Sequence, residues 1–130
     1  MSIEETVAAF HRAMLHKSAD ELADLYAEEG LHEFPFGGLS PLRGREEVRA
    51  AYRASWSQSP AEVQRVRMVA LHATSDPEVV VVEQEADVTV AGNPITVPGL
   101  LVLRVRDGRI VHTRDYMDTY AISRIRAAAA

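Results

Sequence analysis

Residues 100–117 read LLVLRVRDGRIVHTRDYM, and the Asp107-Gly108 pair at their centre is the strongest hairpin signal in the chain. A two-residue loop of the primed type needs positive φ at both central positions, which Asp and Gly tolerate. The flanking runs are rich in Val, Ile, Leu, Thr and Tyr, the composition of strands. The pattern predicts strands over Ile95–Arg106 and from Arg109 to about Tyr120. Further back, Ala91-Gly92-Asn93-Pro94 marks a second turn and Ser75-Asp76-Pro77 a third. Between them lie β-rich segments at Glu78–Val90 and Ala61–Thr74. The C-terminal half is therefore expected to be a four-stranded antiparallel meander.

The N-terminal half carries the other period. Ser2-Ile3-Glu4-Glu5 is a capping-box pattern, and Ile3, Val7, Phe10, Met14 and Leu15 then recur at helical spacing. A second capping box, Ser18-Ala19-Asp20-Glu21, starts a shorter helix with Leu22, Leu25 and Tyr26 inward and Gly30 as its stop. Leu31–Phe36 predicts a short strand running into the loop Gly37–Pro41. Gly44 opens a third helix with Val48, Tyr52, Ser55 and Trp56 on one side, closed by Ser57–Pro60. Helices followed by strands predict a segregated α+β fold, three N-terminal helices packed on a mainly antiparallel sheet.

The 130 residues suffice for one domain, expected over residues 1–126, with a frayed tail at 127–130. Hydrophobic residues make up 47% and charged residues 25%, as in an ordinary globular protein. No apolar run approaches the roughly 20 residues of a membrane span, so no membrane partner is expected. The acidic start, MSIEETVAAFHRAM, is unlike a secretion signal. The absence of cysteine fits a reducing cytoplasm and excludes thiolate chemistry. A net charge of −5 argues against nucleic acid. Arg43, Arg45, Arg49 and Arg53 are interrupted by Glu46 and Glu47, which reads as a solvated helix face. His11, His16, His32, His72 and His112 show no ligand spacing, so neither a metal nor another cofactor is expected.

Turns fix register, and register fixes which side chains share a face. With Asp107-Gly108 and Gly92-Asn93 as two-residue turns, Asp115 falls opposite Leu100 and Leu100 opposite Glu85. Glu85, Leu100 and Asp115 then form one row, with the two acids roughly 10 Å apart through the backbone. Asp87, Thr113 and Met117 join that face. A bulge near Pro98-Gly99 would break the row. The acids Glu83, Glu85 and Asp87 alone read equally as a solvated strip near a sheet edge. Asp115 has apolar neighbours, however, and a buried carboxylate in an apolar pocket suits acid–base work. Both sheet faces are too apolar for open water, which predicts a homodimer covering the face the helices leave free.

Several segments together resemble the SnoaL-like proteins of the nuclear transport factor 2-like superfamily. They are Ala19-Asp20-Glu21-Leu22, Leu25 to Glu29, Glu33-Phe34-Pro35, Gly44 to Val48, Asp107 to Val111 and Arg114 to Asp118. The resemblance implies a cone-like α+β barrel around a pocket. It also implies kinship with ketosteroid isomerases, limonene-1,2-epoxide hydrolases and polyketide cyclases. The isomerase positions correspond to Phe10, Phe34 and Leu100 or Leu101, which lack the isomerase functional groups. The hydrolase pattern places its two acids at Asp87 and Asp115, with Glu85 where that family has arginine; Leu31 and Glu33 replace its water-binding tyrosine and asparagine. The cyclases imply Asp115 alone. The expectation is an acid–base enzyme acting on a hydrophobic small molecule, with Asp115, Asp87 and Glu85 as catalytic candidates. Phe10, Met14, Glu33, Phe34, Phe36, Trp56, Leu100 and Met117 are the substrate-binding candidates. The competing expectation is a non-catalytic binding or assembly module of the same fold.

Overall fold

A computed structural model describes residues 1–130. The element order is α1 (Ile3–His16), α2 (Ala19–Ala23), β1 (Tyr26–Glu33), β2 (Leu42–Arg43), α3 (Arg45–Gln58), β3 (Glu62–Ala73), β4 (Val79–Val90), β5 (Asn93–Arg106), β6 (Arg109–Met117) and α4 (Thr119–Ala129). The expected α+β architecture is present. Six strands form one sheet in the order β2-β1-β6-β5-β4-β3, antiparallel except for the β1–β6 pair. The helices lie against its inner face, where Val7, Phe10, Leu22, Tyr26, Val48, Val82, Leu101, Leu103 and Ile110 make the main core. No helix is long and apolar enough to cross a membrane.

Local chemistry explains the helix starts. The Ser2 hydroxyl accepts from the Glu5 amide at 3.0 Å, and Glu5 Oε1 accepts from the Ser2 amide at 2.9 Å. At α2 only half of the expected capping box forms: the Ser18 hydroxyl accepts from the Glu21 amide at 3.1 Å, while the Glu21 carboxylate turns to His16. Arg49, expected on a solvated face, instead ties α3 to α2 through Asp20 at 2.7 Å and Asp24 at 3.0 Å.

The structure corrects both ends of the chain. The second helix ends at Ala23 rather than at Gly30, and the first strand begins at Tyr26 instead of Leu31. The reason lies across the sheet, where the Ile110 amide donates to the Leu25 carbonyl at 2.9 Å. Pairing with β6 outweighs the helical spacing of Leu22, Leu25 and Tyr26. Gly30 lies inside β1, at an irregularity in this pairing. A Cβ there would come within 2.9 Å of the Ile110 carbonyl and of the Tyr26 ring. At the other end β6 stops at Met117, and residues 127–129, expected to fray, belong to α4. Asp118 caps that helix through the Tyr120 and Ala121 amides, and Ile125 and Ala128 pack on a second apolar cluster around Val88 and Ile95.

Register is where the expectation fails, in two different ways. The Asp107-Gly108 turn is as read, with Arg106 opposite Arg109 and φ of 52° and 74°. The other hairpin turns at Ala91-Gly92, so Val90 pairs with Asn93 and Glu85 with Pro98. Had Ala91 paired with Pro94, the closing pair would have lacked the N–H that proline does not carry. This shift of two residues leaves every β4 side chain on its expected face. The β5–β6 ladder behaves differently, because Arg104 pairs with His112 but Val105 pairs with Ile110. Val111 is the extra residue of a bulge, and beyond it the alternation inverts. Asp115 lies opposite Leu101, not Leu100.

Candidate active site

Because of the bulge, Asp115 shares the inner face with Leu101, Thr113, Gln84 and Ala86. Glu85, Asp87 and Leu100 point outward. The acidic row expected across β4, β5 and β6 is therefore split between the two faces. Asp87 is instead clamped on the outer face by Arg65 and Arg67 and accepts from the Thr96 hydroxyl at 3.0 Å. Hydrogen bonds from the two guanidinium groups hold its carboxyl far below the usual carboxylate range. Glu85 is bound by Arg67 at 2.9 Å.

The partner that Asp115 does meet is His32. The imidazole is fully buried, with Nε2 3.2 Å from Asp115 Oδ2. On the far side of the ring, Nδ1 lies 2.6 Å from the Tyr26 hydroxyl, which is 2.8 Å from the Thr113 hydroxyl. For a neutral ring these contacts fix the tautomer. A carboxylate accepts only, so Nε2 carries the hydrogen, Nδ1 accepts from Tyr26, and Tyr26 accepts from Thr113. Tyr52, on α3, completes the group, its hydroxyl 3.1 Å from His32 Nε2 and 3.5 Å from Asp115 Oδ2. Burial, with the Asp115 charge added, raises the pKa of both phenols, so both remain protonated donors.

Packing holds this cluster rigid. The His32 ring contacts Phe34 with centroids 4.8 Å apart and Tyr52 at 5.4 Å, and Tyr52 meets Trp56 edge-on at 4.8 Å. The irregular pairing of β1 around Gly30 brings Tyr26 and His32 onto β6 beside Thr113 and Asp115.

Asp115 and Tyr52 open into a cavity of about 250 Å³. Of the substrate-binding candidates, Phe10, Met14, Trp56 and Met117 line it, together with Gln84, Leu101 and Ile122 of α4. Phe34 faces a neighbouring cavity shared with Tyr52 and Met117. Three other substrate-binding candidates lie elsewhere. Glu33 alternates outward and pairs with His112, while Phe36 and Leu100 line an open groove on the outer face with Tyr116. His32 and Tyr26 were missed because neither has a motif; the signal available was their proximity in sequence to Glu33-Phe34. No group of three or more His, Cys, Asp or Glu residues is placed to hold a metal ion.

A SnoaL-like domain model matches residues 7–113. The chain belongs to the SnoaL-like family. An uncharacterized PhzA/B-like protein of Pseudomonas aeruginosa is 30% identical over 121 residues, covering 89% of this chain and 84% of that one. Among solved structures, a provisionally assigned isomerase from Bacillus subtilis superposes with a TM-score of 0.85 at 23% identity, covering 95% of this chain and 91% of the other. An LEH-like epoxide hydrolase from M. tuberculosis gives 0.70 at 23% identity, covering 93% and 86%. These structures share the fold. The SnoaL-like match ends two residues before Asp115, so the role of that residue rests on the geometry above.

Proposed function

We propose that this SnoaL-like protein is an acid–base enzyme of the isomerase or cyclase type, moving a proton on a small, largely apolar carbonyl compound. The observation that carries this reading is the Asp115 carboxylate, with 18% of its side chain exposed, at the wall of an apolar cavity between two protonated donors. Asp115 would take a proton from carbon next to the carbonyl. The C–H electron pair passes into an enolate whose oxygen the Tyr52 hydroxyl can reach. The proton then returns to another carbon, or the enolate carbon closes a ring on a second carbonyl of the same molecule, whose π electron pair moves onto oxygen and takes the proton back from Asp115. His32 holds the carboxylate in place, and Tyr26 and Thr113 hold His32.

A two-acid epoxide hydrolysis has less support. The resemblance places its second acid on β4, whose positions facing the cavity are Gln84 and Ala86, and the other acid on the cavity wall, Asp118, is engaged in capping α4. The outer sheet face, with Leu100, Val102 and Tyr116 part-exposed, supports the expected homodimer.

The test is proton exchange from small bicyclic ketones such as 2-tetralone in deuterated buffer, followed by NMR. Wild type is expected to accelerate exchange, and Asp115→Asn to lose about 10²- to 10⁴-fold of that acceleration. A ketone that binds in the cavity yet exchanges no faster than in buffer would overturn the proposal.

A further inference from the structure

The cavity holds a second polar feature, at a distance from Asp115. Gln84 of β4 is 7% exposed, and its two ends are treated very differently. Its Oε1 accepts from His11 Nε2 at 2.7 Å. Its amide nitrogen, with two hydrogens to donate, meets only the Met14 sulfur at 3.7 Å. A thioether is a weak acceptor, and a buried amide donor without a good acceptor is costly. The His11 bond turns the NH2 toward the cavity. Burial lowers the His11 pKa and keeps that ring neutral, so the contact brings no charge into the apolar surroundings. Opposite Gln84 on β5 stands Gly99, where a Cβ would come within 3.4 Å of the amide nitrogen. The glycine thus leaves space in front of an under-used donor.

We propose that Gln84 is a specificity-determining residue that binds an uncharged oxygen acceptor of the substrate, a carbonyl in the first instance. This rests on the proton-transfer reading only in placing the substrate beside Asp115. Gln84 and Asp115 lie on β4 and β6 with β5 between them and two residues out of line, about 12 Å apart through the backbone, so the acceptor is a second oxygen, away from the reacting carbon. The charge of the oxygen follows from the walls. No Lys, Arg or His lines the cavity, whereas Asp115 and Asp118 both do, and a carboxylate would enter against two negative charges with no cation to meet it. The volume of about 250 Å³ suits a molecule of one or two rings. The substrate class is accordingly a compact, neutral compound with a carbonyl at each end.

The experiment compares 2-tetralone with its 6-acetyl derivative, using calorimetry for affinity and the exchange assay for chemistry. Wild type is expected to bind the acetyl compound roughly tenfold tighter than the parent, as one added neutral hydrogen bond can give. Gln84→Leu, which keeps the volume and removes the donor, is expected to erase that preference, read as the ratio of the two affinities in the same variant. Asp115→Asn is expected to keep the preference while losing exchange, which separates the two proposals. Equal wild-type affinity for both ketones, failure of both to bind, or an undiminished preference in Gln84→Leu would each overturn the assignment. A preference in wild type with no exchange would leave Gln84 standing and remove the proton-transfer reading alone.

Discussion

His32 Nε2 lies 3.2 Å from Asp115 Oδ2, which joins the only parallel pair in the sheet, β1 and β6, through their side chains as well as their backbones. The contact makes His32 an orienting group for the carboxylate. The imidazole is itself held from behind by Tyr26, so the chain Thr113–Tyr26–His32–Asp115 runs from the core to the cavity wall.

Tyr26→Phe breaks that chain at a fully buried link. His32 Nδ1 and the Thr113 hydroxyl would each lose a partner, at a cost of about 1–3 kcal/mol in stability. Urea unfolding reads the loss. Nitrogen chemical shifts of His32 read the second effect, a tautomer no longer held with its hydrogen on Nε2.

Tyr52→Phe should preserve the ring contacts with His32 and Trp56 while removing one donor from the reaction site. Turnover is expected to fall about 10²-fold, the order seen when one oxyanion donor is deleted, with a nearly unchanged melting temperature. A steady-state comparison with wild type checks it.

Stability at low pH should depend on the outer face and on Glu78. Hydrogen bonds from Arg106 and Arg104 lower the Glu78 pKa to about 2, and guanidinium bonds lower Asp87 further. A carboxyl whose folded pKa lies below its unfolded value contributes stability above the unfolded pKa, and that contribution fades as pH falls through the folded one. Urea midpoints should therefore decline between about pH 5 and pH 2. Glu78→Gln should decline less steeply; as these are exposed ion pairs, the difference is expected to be small.

Gly30→Ala should destabilise the fold by about 1–3 kcal/mol, as overpacking does, because the new methyl would meet the Ile110 carbonyl and the Tyr26 ring. Activity should fall with stability, since the same irregularity seats Tyr26 and His32. Thermal unfolding of the variant beside Gly92→Ala, where no atom lies within 4 Å of the added Cβ, separates crowding from backbone strain.

Val102→Arg, on the outer face, should yield a monomer if that face carries the dimer. Sedimentation of both proteins over a range of concentrations reads the outcome, and wild type sedimenting as a monomer throughout would refute the homodimer.

Much of the architecture was legible because it is written in local signals. A capping box gave the first helix, Asp107-Gly108 gave one hairpin in register, and β-rich runs bounded by turn residues gave β3 to β5. The α2–β1 boundary was misread because Leu25 and Tyr26 fit a helix locally and are claimed by β6 from more than 80 positions away. Asp115 was legible as a candidate, but its companions were not. A bulge leaves no mark in a run such as Arg104–Thr113, where both phases place apolar residues inward. That one residue moved Asp115 away from Glu85 and Asp87 and toward His32, whose isolated position had suggested no role.

The Val111 bulge also bears on how such a cavity changes between relatives. Each β6 side chain past this point owes its side of the sheet to Val111 standing outside the ladder; were Val111 to pair regularly with Arg104, Arg114 and Tyr116 would replace Asp115 and Met117 at the cavity wall. An acidic, proton-accepting interior would become a cationic, phenolic one while every other strand kept its sequence. In this scaffold the pairing phase of a strand edits chemistry as decisively as the identity of a side chain, and comparisons of relatives by aligned letters alone will misplace the reacting group wherever that phase has slipped.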